Sequence, residues 1–196
     1  SRLGWDGMGS GRLVDLASKE PLLSRVYRQD PRHWRAIAHR AADDVVRQLT
    51  GREGIARTRG AFDNNRTGNK ELYAVDYDGE NLVQLTKNGS INLLPRWHPD
   101  GERIAFVSYK GGNPDLFIHE LASGKDRPLS LRQGLNLPGG FSPDGTLIAA
   151  TLSRGGSPNI FTVSVADGQA KQRTAHGGVD SSPTFSPAGA QIAYIS

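Results

Sequence analysis

The hydrophobic and polar positions of the chain fall into two regimes. A short opening stretch alternates and then takes a helical period, and a long remainder consists of brief apolar runs cut by Gly and Pro. In the first regime Arg2 to Trp5, Gly11 to Ala17 and Pro21 to Tyr27 read as strands of a small antiparallel meander, with turns at Asp6-Gly7 and Ser18-Lys19. Leu23, Arg25 and Tyr27 share one face of the last strand and Leu22, Ser24 and Val26 the other. Apolar groups on both faces are the pattern of a central strand. From Asp30 the period becomes that of a helix. Asp30 suits an N-cap, Pro31 the first helical position, and Trp34, Ile37, Ala38, Ala41, Val45 and Leu49 recur at helical spacing until Gly51. The other face carries Arg32, Arg35, His39, Arg40, Asp43, Asp44 and Arg47. It is expected to be solvated and ion-paired, with Arg40 and Asp44 forming an i,i+4 pair. Strands and helix 31–50 predict an α/β domain over residues 1–52, of which the first part is expected to lie outside this chain.

The second regime repeats. Trp97-His98-Pro99-Asp100-Gly101, Phe141-Ser142-Pro143-Asp144-Gly145 and Phe185-Ser186-Pro187-Ala188-Gly189 place their glycines at 101, 145 and 189, a constant step of 44 residues. Gly111-Gly112-Asn113-Pro114 with Phe117 matches Gly155-Gly156-Ser157-Pro158 with Phe161 at the same step, and Gly68 with Tyr73 extends it backwards. Asn92, Asn136 and Asp180 keep it too. A period in the forties with four short apolar runs per unit predicts a β-propeller, one blade per repeat. In one unit the runs are Leu94 to Trp97, Arg103 to Ser108, Asp115 to Leu121 and Arg127 to Ser130. Pro presets φ and Gly accepts positive φ, so Pro-Asp-Gly makes the tight turn between the first two. Arg59 to Asp63 aligns with the second strand of the later units, so the first blade of the 53–196 propeller portion lacks its own innermost strand. Three blades and the start of a fourth do not close a ring, and the sequence reads as an internal fragment.

Composition narrows the chemistry. The 36% hydrophobic content of the 196 residues is enough for globular cores, and 24 Gly with 11 Pro suit turn-rich β structure. No apolar run approaches 18 residues. The absence of Cys excludes a disulfide scaffold and thiolate metal sites. The net charge of +4 is carried by scattered Arg rather than by a continuous basic stripe, which favours a solvated surface over a nucleic-acid face. A nucleophile elbow is missing, since Met8 stands before Gly9-Ser10-Gly11 where a glycine is needed. The histidines at 33, 39, 98, 119 and 176 show no paired metal spacing. Asp76-Tyr77-Asp78-Gly79 lacks the further acids of a calcium loop and reads as a hairpin turn. No catalytic, cofactor or metal residues are expected. Binding is the remaining option, on the loops that lead into the innermost strands: Gly89 to Leu94, Gly134 to Pro138 and Gly177 to Ser182.

Specific residues then point to a family. Ala38-His39-Arg40-Ala41-Ala42-Asp43-Asp44, Leu49-Thr50-Gly51 with Gly54 and Thr58-Arg59, Asn69-Lys70-Glu71-Leu72-Tyr73 and Asp76-Tyr77-Asp78-Gly79 together resemble the TolB family. The resemblance implies a periplasmic, non-enzymatic component of the Tol-Pal envelope system, with an N-terminal α/β domain and a six-bladed propeller. It implies binding of the peptidoglycan-associated lipoprotein Pal at the channel mouth, coupling to TolA through the N-terminal region, and support of outer-membrane integrity and of constriction during cell division. The positions matching the Pal-facing loops are Leu135, Asn136, Pro138, Asp180 and Ser181, with Asn92 at the corresponding place in the first loop. Two features depart from the pattern. Leu137-Pro138-Gly139-Gly140-Phe141 shifts the proline by one from Pro95 and Pro183, and Gly60 replaces an apolar residue. The alternative from another class is the propeller gate of a serine peptidase, whose catalytic domain would follow downstream.

Overall fold

The computed structural model describes residues 8–28, 30, 33–154 and 156–196. They fall into two compact units, one within Ser1–Gly60 and Val75–Asn81, the other within Ala61–Ala74 and Leu82–Ser196. In the first unit β1 (Met8–Val14) and β2 (Pro21–Arg28) form an antiparallel hairpin, with Leu13 opposite Leu23 and Gly9 opposite Tyr27. The strand expected over Arg2 to Trp5 and its turn at Asp6-Gly7 lie outside the described residues. β1 stops at Val14, short of the expected Ala17, because Asp15 Oδ1 accepts the backbone N–H of Ala17 and of Ser18, both at 2.8 Å, and closes the turn. Among the described residues β2 pairs with β1 alone, and Val26 is exposed, so it is not the central strand that its two apolar faces suggested.

The helix α1 spans Trp34–Thr50 and ends at Gly51, whose left-handed conformation (φ 70°) lets its N–H reach the Arg47 carbonyl at 2.9 Å. It begins later than expected. His33 is its N-cap, and Asp30 contributes its carbonyl to the His33 N–H at 2.8 Å; Pro31 lies outside the described residues. The faces differ from expectation as well. Trp34 and Leu49 are exposed, while Asp43, placed on the solvated face from sequence, is the buried residue of the helix. Its carboxylate accepts the Ala56 N–H at 2.8 Å and the Arg57 Nε at 2.6 Å, which compensates the cost of burying it. Asp44 takes the Tyr27 hydroxyl at 3.0 Å and lies 3.8 Å from Arg25, so its partners come from β2 and not from Arg40.

The second unit is a series of antiparallel sheets in up-and-down order. β3 (Arg59–Asn64), β4 (Glu71–Asp76) and β5 (Val83–Gln84) make a three-stranded sheet. A four-stranded one follows, of β6 (Asn92–Trp97), β7 (Arg103–Ser108), β8 (Asp115–Glu120) and β9 (Lys125–Ser130). The next contains β10 (Asn136–Phe141), β11 (Leu147–Leu152), β12 (Asn159–Ser164) and β13 (Ala170–Gln172), and β14 (Ser181–Phe185) pairs with β15 (Ile192–Ile195). The middle strands β7, β8, β11 and β12 are apolar on both faces because each packs against a neighbouring sheet. Leu72, Phe106 and Phe117 form one such core, and Leu116, Ile118, Ile148, Leu152, Phe161 and Val163 belong to the next.

Pro-Asp-Gly turns join β6 to β7 and β10 to β11, and Pro187-Ala188-Gly189 joins β14 to β15. Gly101, Gly145 and Gly189 sit at φ 70°, 72° and 73°, and their N–H groups return to the carbonyls of His98, Ser142 and Ser186. The innermost strands carry an irregularity. Leu94 and Ser182 take φ 56° and 54° where the registers of β6 and β14 shift. The corresponding residue of β10 is Pro138, whose ring forbids positive φ, and there the shift runs through Gly139-Gly140 to Phe141. A Cβ on Gly139 would meet the Pro183 carbonyl oxygen at 2.1 Å, so the displaced proline and its following glycines are one packing solution.

Candidate interaction site

The loops entering β6, β10 and β14 are held by a polar junction that recurs in each repeat. Its members are an acid or amide that opens the last strand but one of a sheet, a hydroxyl at or just after the end of the last strand, and an amide or acid that enters the next sheet. The first junction is Glu71, Thr86 and Asn92. Asn92 Nδ2 donates to Glu71 Oε2 at 2.9 Å and to the Lys70 carbonyl at 3.1 Å, and Glu71 Oε1 accepts the Gly89 N–H at 2.9 Å. The second is Asp115, Ser130 and Asn136. Asn136 Nδ2 donates to the carbonyls of Pro114, Arg132 and Gly134 at 3.1, 2.6 and 3.0 Å, while its Oδ1 accepts Ser130 Oγ at 2.6 Å. One amide side chain thus ties three segments of backbone.

The third junction exchanges the chemistry. Asn159 stands where Glu71 and Asp115 stood, and Asp180 where Asn92 and Asn136 stood. Each set keeps one carboxylate and one carboxamide at these two positions, and in the first the Asn92 amide donates directly to the Glu71 carboxylate. Asp180 is fully buried, its backbone N–H bonded to the Pro158 carbonyl at 2.9 Å. Among the described residues its carboxylate oxygens accept no hydrogen bond, and His176 Nε2 lies 3.3 Å from Oδ2, an ion-pair distance without hydrogen-bond alignment.

Of the residues singled out from sequence, Asn92, Asn136 and Asp180 have relative exposures of 0%, 1% and 0% and belong to the junctions; Pro138 is also buried. Leu135 and Ser181 are half-buried at the loop surface. Sequence reasoning named Leu135 but passed over Ile91 and Val179, the reachable residues that stand just before the other two buried polar groups. Ile91, Leu135 and Val179 are again 44 apart, and Ile91 and Val179 are 45% and 62% exposed. The repeat spacing was the signal that could have found them. Three aliphatic side chains thus hold the same place in successive loops, an arrangement suited to contact with another macromolecule.

In the first unit, Arg35 pairs with the Asp78 carboxylate and His39 Nε2 lies 2.9 Å from Asp78 Oδ2. Arg35 foremost, with the Glu80 N–H and His39 in support against a smaller opposing effect of burial, holds the Asp78 carboxyl down at about 2. A cavity of about 330 Å³ there is lined by Arg35, His39 and Arg57, among others. Arg35 and His39 are engaged by Asp78, and Arg57 by Asp43. No group of three or more His, Cys, Asp or Glu is arranged to hold a metal ion among the described residues, and no described helix is long and apolar enough to cross a membrane.

Comparison with known proteins bears on the whole arrangement. Residues 46–196 match the family model described as the TolB beta propeller domain. The chain belongs to the TolB β-propeller family. A TolB homolog of Chlorobaculum tepidum is 46% identical over 108 residues, covering 55% of this chain and 25% of the relative. The Tol-Pal system protein TolB of Desulfosudis oleivorans is 40% identical over 114 residues, 58% of this chain and 26% of that protein. The crystal structure of TolB from Acinetobacter baumannii superimposes with a TM-score of 0.84 at 28% identity, over 93% of this chain and 47% of that one. The matched stretches thus span about a quarter of the length of these curated TolB relatives.

Proposed function

We propose that this chain is part of a non-enzymatic periplasmic adaptor of the Tol-Pal system, which binds the lipoprotein Pal through the loops around its propeller channel mouth. The observation that carries the reading is the apolar rim of Ile91, Leu135 and Val179 set on buried polar junctions, in a chain whose relatives bear the name Tol-Pal system protein TolB. In this reading residues 1–52 are the later part of an α/β domain that couples to TolA, and 53–196 contribute blades of a six-bladed ring with a 44-residue repeat. Its cellular roles are outer-membrane integrity and constriction during division. Asn92, Asn136, Pro138 and Asp180 act by fixing the loops, and Leu135 and Ser181 by touching the partner.

The test is calorimetric titration of the whole protein with the periplasmic domain of Pal from the same organism. Leu135→Ala with Val179→Ser is expected to weaken binding about tenfold or more at an unchanged Tm, in keeping with truncation of central apolar contacts. A well-folded protein that does not bind Pal, or a rim variant that binds as tightly as the original, would overturn the proposal.

A further inference from the structure

Three successive repeats set a cation over an aromatic ring. Arg66 stands 6.0 Å from the Tyr73 centroid, Lys110 4.0 Å from Phe117 and Arg154 5.2 Å from Phe161. In the β6–β9 sheet the cation is neutralised, since Lys110 Nζ lies 3.0 Å from Asp126 Oδ2. The residue that follows Asp126 by one repeat is Ala170, opposite Val163 as Asp126 is opposite His119. Arg154 therefore keeps the ring but lacks the carboxylate.

A second guanidinium lies close by. The segments bearing Arg132 and Arg154 are joined by Leu135 N–H to Ser153 Oγ at 2.8 Å and by Ser153 N–H to the Leu135 carbonyl at 3.2 Å. The Arg132 carbonyl is fixed by Asn113 Nδ2 at 3.0 Å as well as by Asn136. Among the described residues neither guanidinium has a carboxylate partner, and the Arg154 Nε is shielded from solvent without a hydrogen-bond acceptor. Burial, and after it the charge of Arg132, lower the Arg154 pKa from its ordinary value. The backbones of the two cationic segments are held together, and the Arg154 charge lacks the carboxylate with which the preceding sheet neutralises Lys110.

We propose that Arg132 and Arg154 form a carboxylate-binding site that takes an Asp or Glu side chain of a protein partner, in the place that Asp126 fills for Lys110. The planar guanidinium matches a carboxylate through two parallel N–H donors. The β6–β9 sheet shows that a carboxylate is accommodated beside a cation stacked on this ring. Leu131, next to Arg132, is exposed and apolar, which suits a peptide better than a free ion. The site adjoins the aliphatic rim at Leu135, whose backbone joins the two segments, and does not depend on the partner there being Pal.

The test follows the arginine Nε–H resonances of the whole protein by NMR during titration with an N-acetylated, C-amidated Asp-Asp peptide, its Asn-Asn counterpart and inorganic phosphate. The Arg154 signal, identified by its loss in Arg154→Gln, is expected to shift saturably with the Asp-Asp peptide, at least about tenfold more tightly than with Asn-Asn. Ala170→Asp supplies the carboxylate from within and is expected to abolish the response. It adds a partner rather than removing one, and where Arg154→Gln fails to fold, Arg154→Lys identifies the resonance instead. No saturation by the Asp-Asp peptide, saturation by phosphate alone, or an unaltered response in Ala170→Asp would each overturn the proposal. A failure with Pal beside a normal peptide response would instead count against the partner assignment alone.

Discussion

Asn136→Ala separates a residue that frames the interaction surface from one that touches a partner. The substitution removes one buried amide, and with it three hydrogen bonds to the carbonyls of Pro114, Arg132 and Gly134 and one from Ser130. Each such bond contributes about 0.5–1.5 kcal/mol net, and a buried group left without a partner costs about 1–3 kcal/mol. The Arg132 and Gly134 carbonyls lie on a surface loop where water can replace the amide. The Ser130 hydroxyl can rotate to another acceptor. The Pro114 carbonyl is the group most exposed to the full penalty, so the expected loss is about 2–4 kcal/mol. For a domain of this size that lowers Tm by about 4–16 °C. Urea denaturation followed by tryptophan fluorescence, compared with the unaltered protein, measures it as a shift of midpoint at constant slope. A loss below about 1 kcal/mol would refute the reasoning, because it would mean that the junction does not hold the loop. Loss of Pal binding at full stability would reassign Asn136 to the contact surface.

The remaining predictions concern the same physics elsewhere. Asn92→Asp sets a second carboxylate against Glu71 and should destabilise by about 2 kcal/mol or more, while adding Glu71→Gln should restore most of the loss in a double-mutant cycle. Gly139→Ala drives a methyl into the Pro183 carbonyl, and denaturation should show a loss of about 1–3 kcal/mol, with β14 amides exchanging faster. Asp78 is held at about 2 against an ordinary 3.8, so its contribution is complete above pH 3.8 and disappears as the pH falls through 2. Asp78→Asn should therefore flatten the acid limb of the stability profile in that window. An unchanged limb would mean that the ion pair with Arg35 adds nothing to folding. Asp43→Ala strands the Ala56 N–H and frees Arg57, for an expected cost of about 2 kcal/mol by thermal denaturation.

The sequence by itself determined the blade frame. Pro-Asp-Gly at 99–101 and Pro143-Asp144-Gly145 impose the same local turn wherever they occur, because the proline ring and the glycine φ act within four residues. The brief apolar runs between such turns can only be strands that are covered on both faces. Helix α1 and its end at Gly51 were legible for the same reason, since period and a left-handed cap are local properties. What the tertiary structure decided are the matters in which two distant segments compete for one group. Asp43 looked solvated beside its helical neighbours, yet the loop bearing Ala56 and Arg57 buries it. Asn136 looked like a rim residue because it repeats in a loop, yet three carbonyls from separate stretches claim its amide. Ala170 looks unremarkable in sequence and becomes informative only when Arg154, sixteen residues before it, is seen over Phe161 without the carboxylate that Lys110 enjoys. Period and turn chemistry are written within a few consecutive residues, whereas burial and charge balance are properties of the space that several segments share.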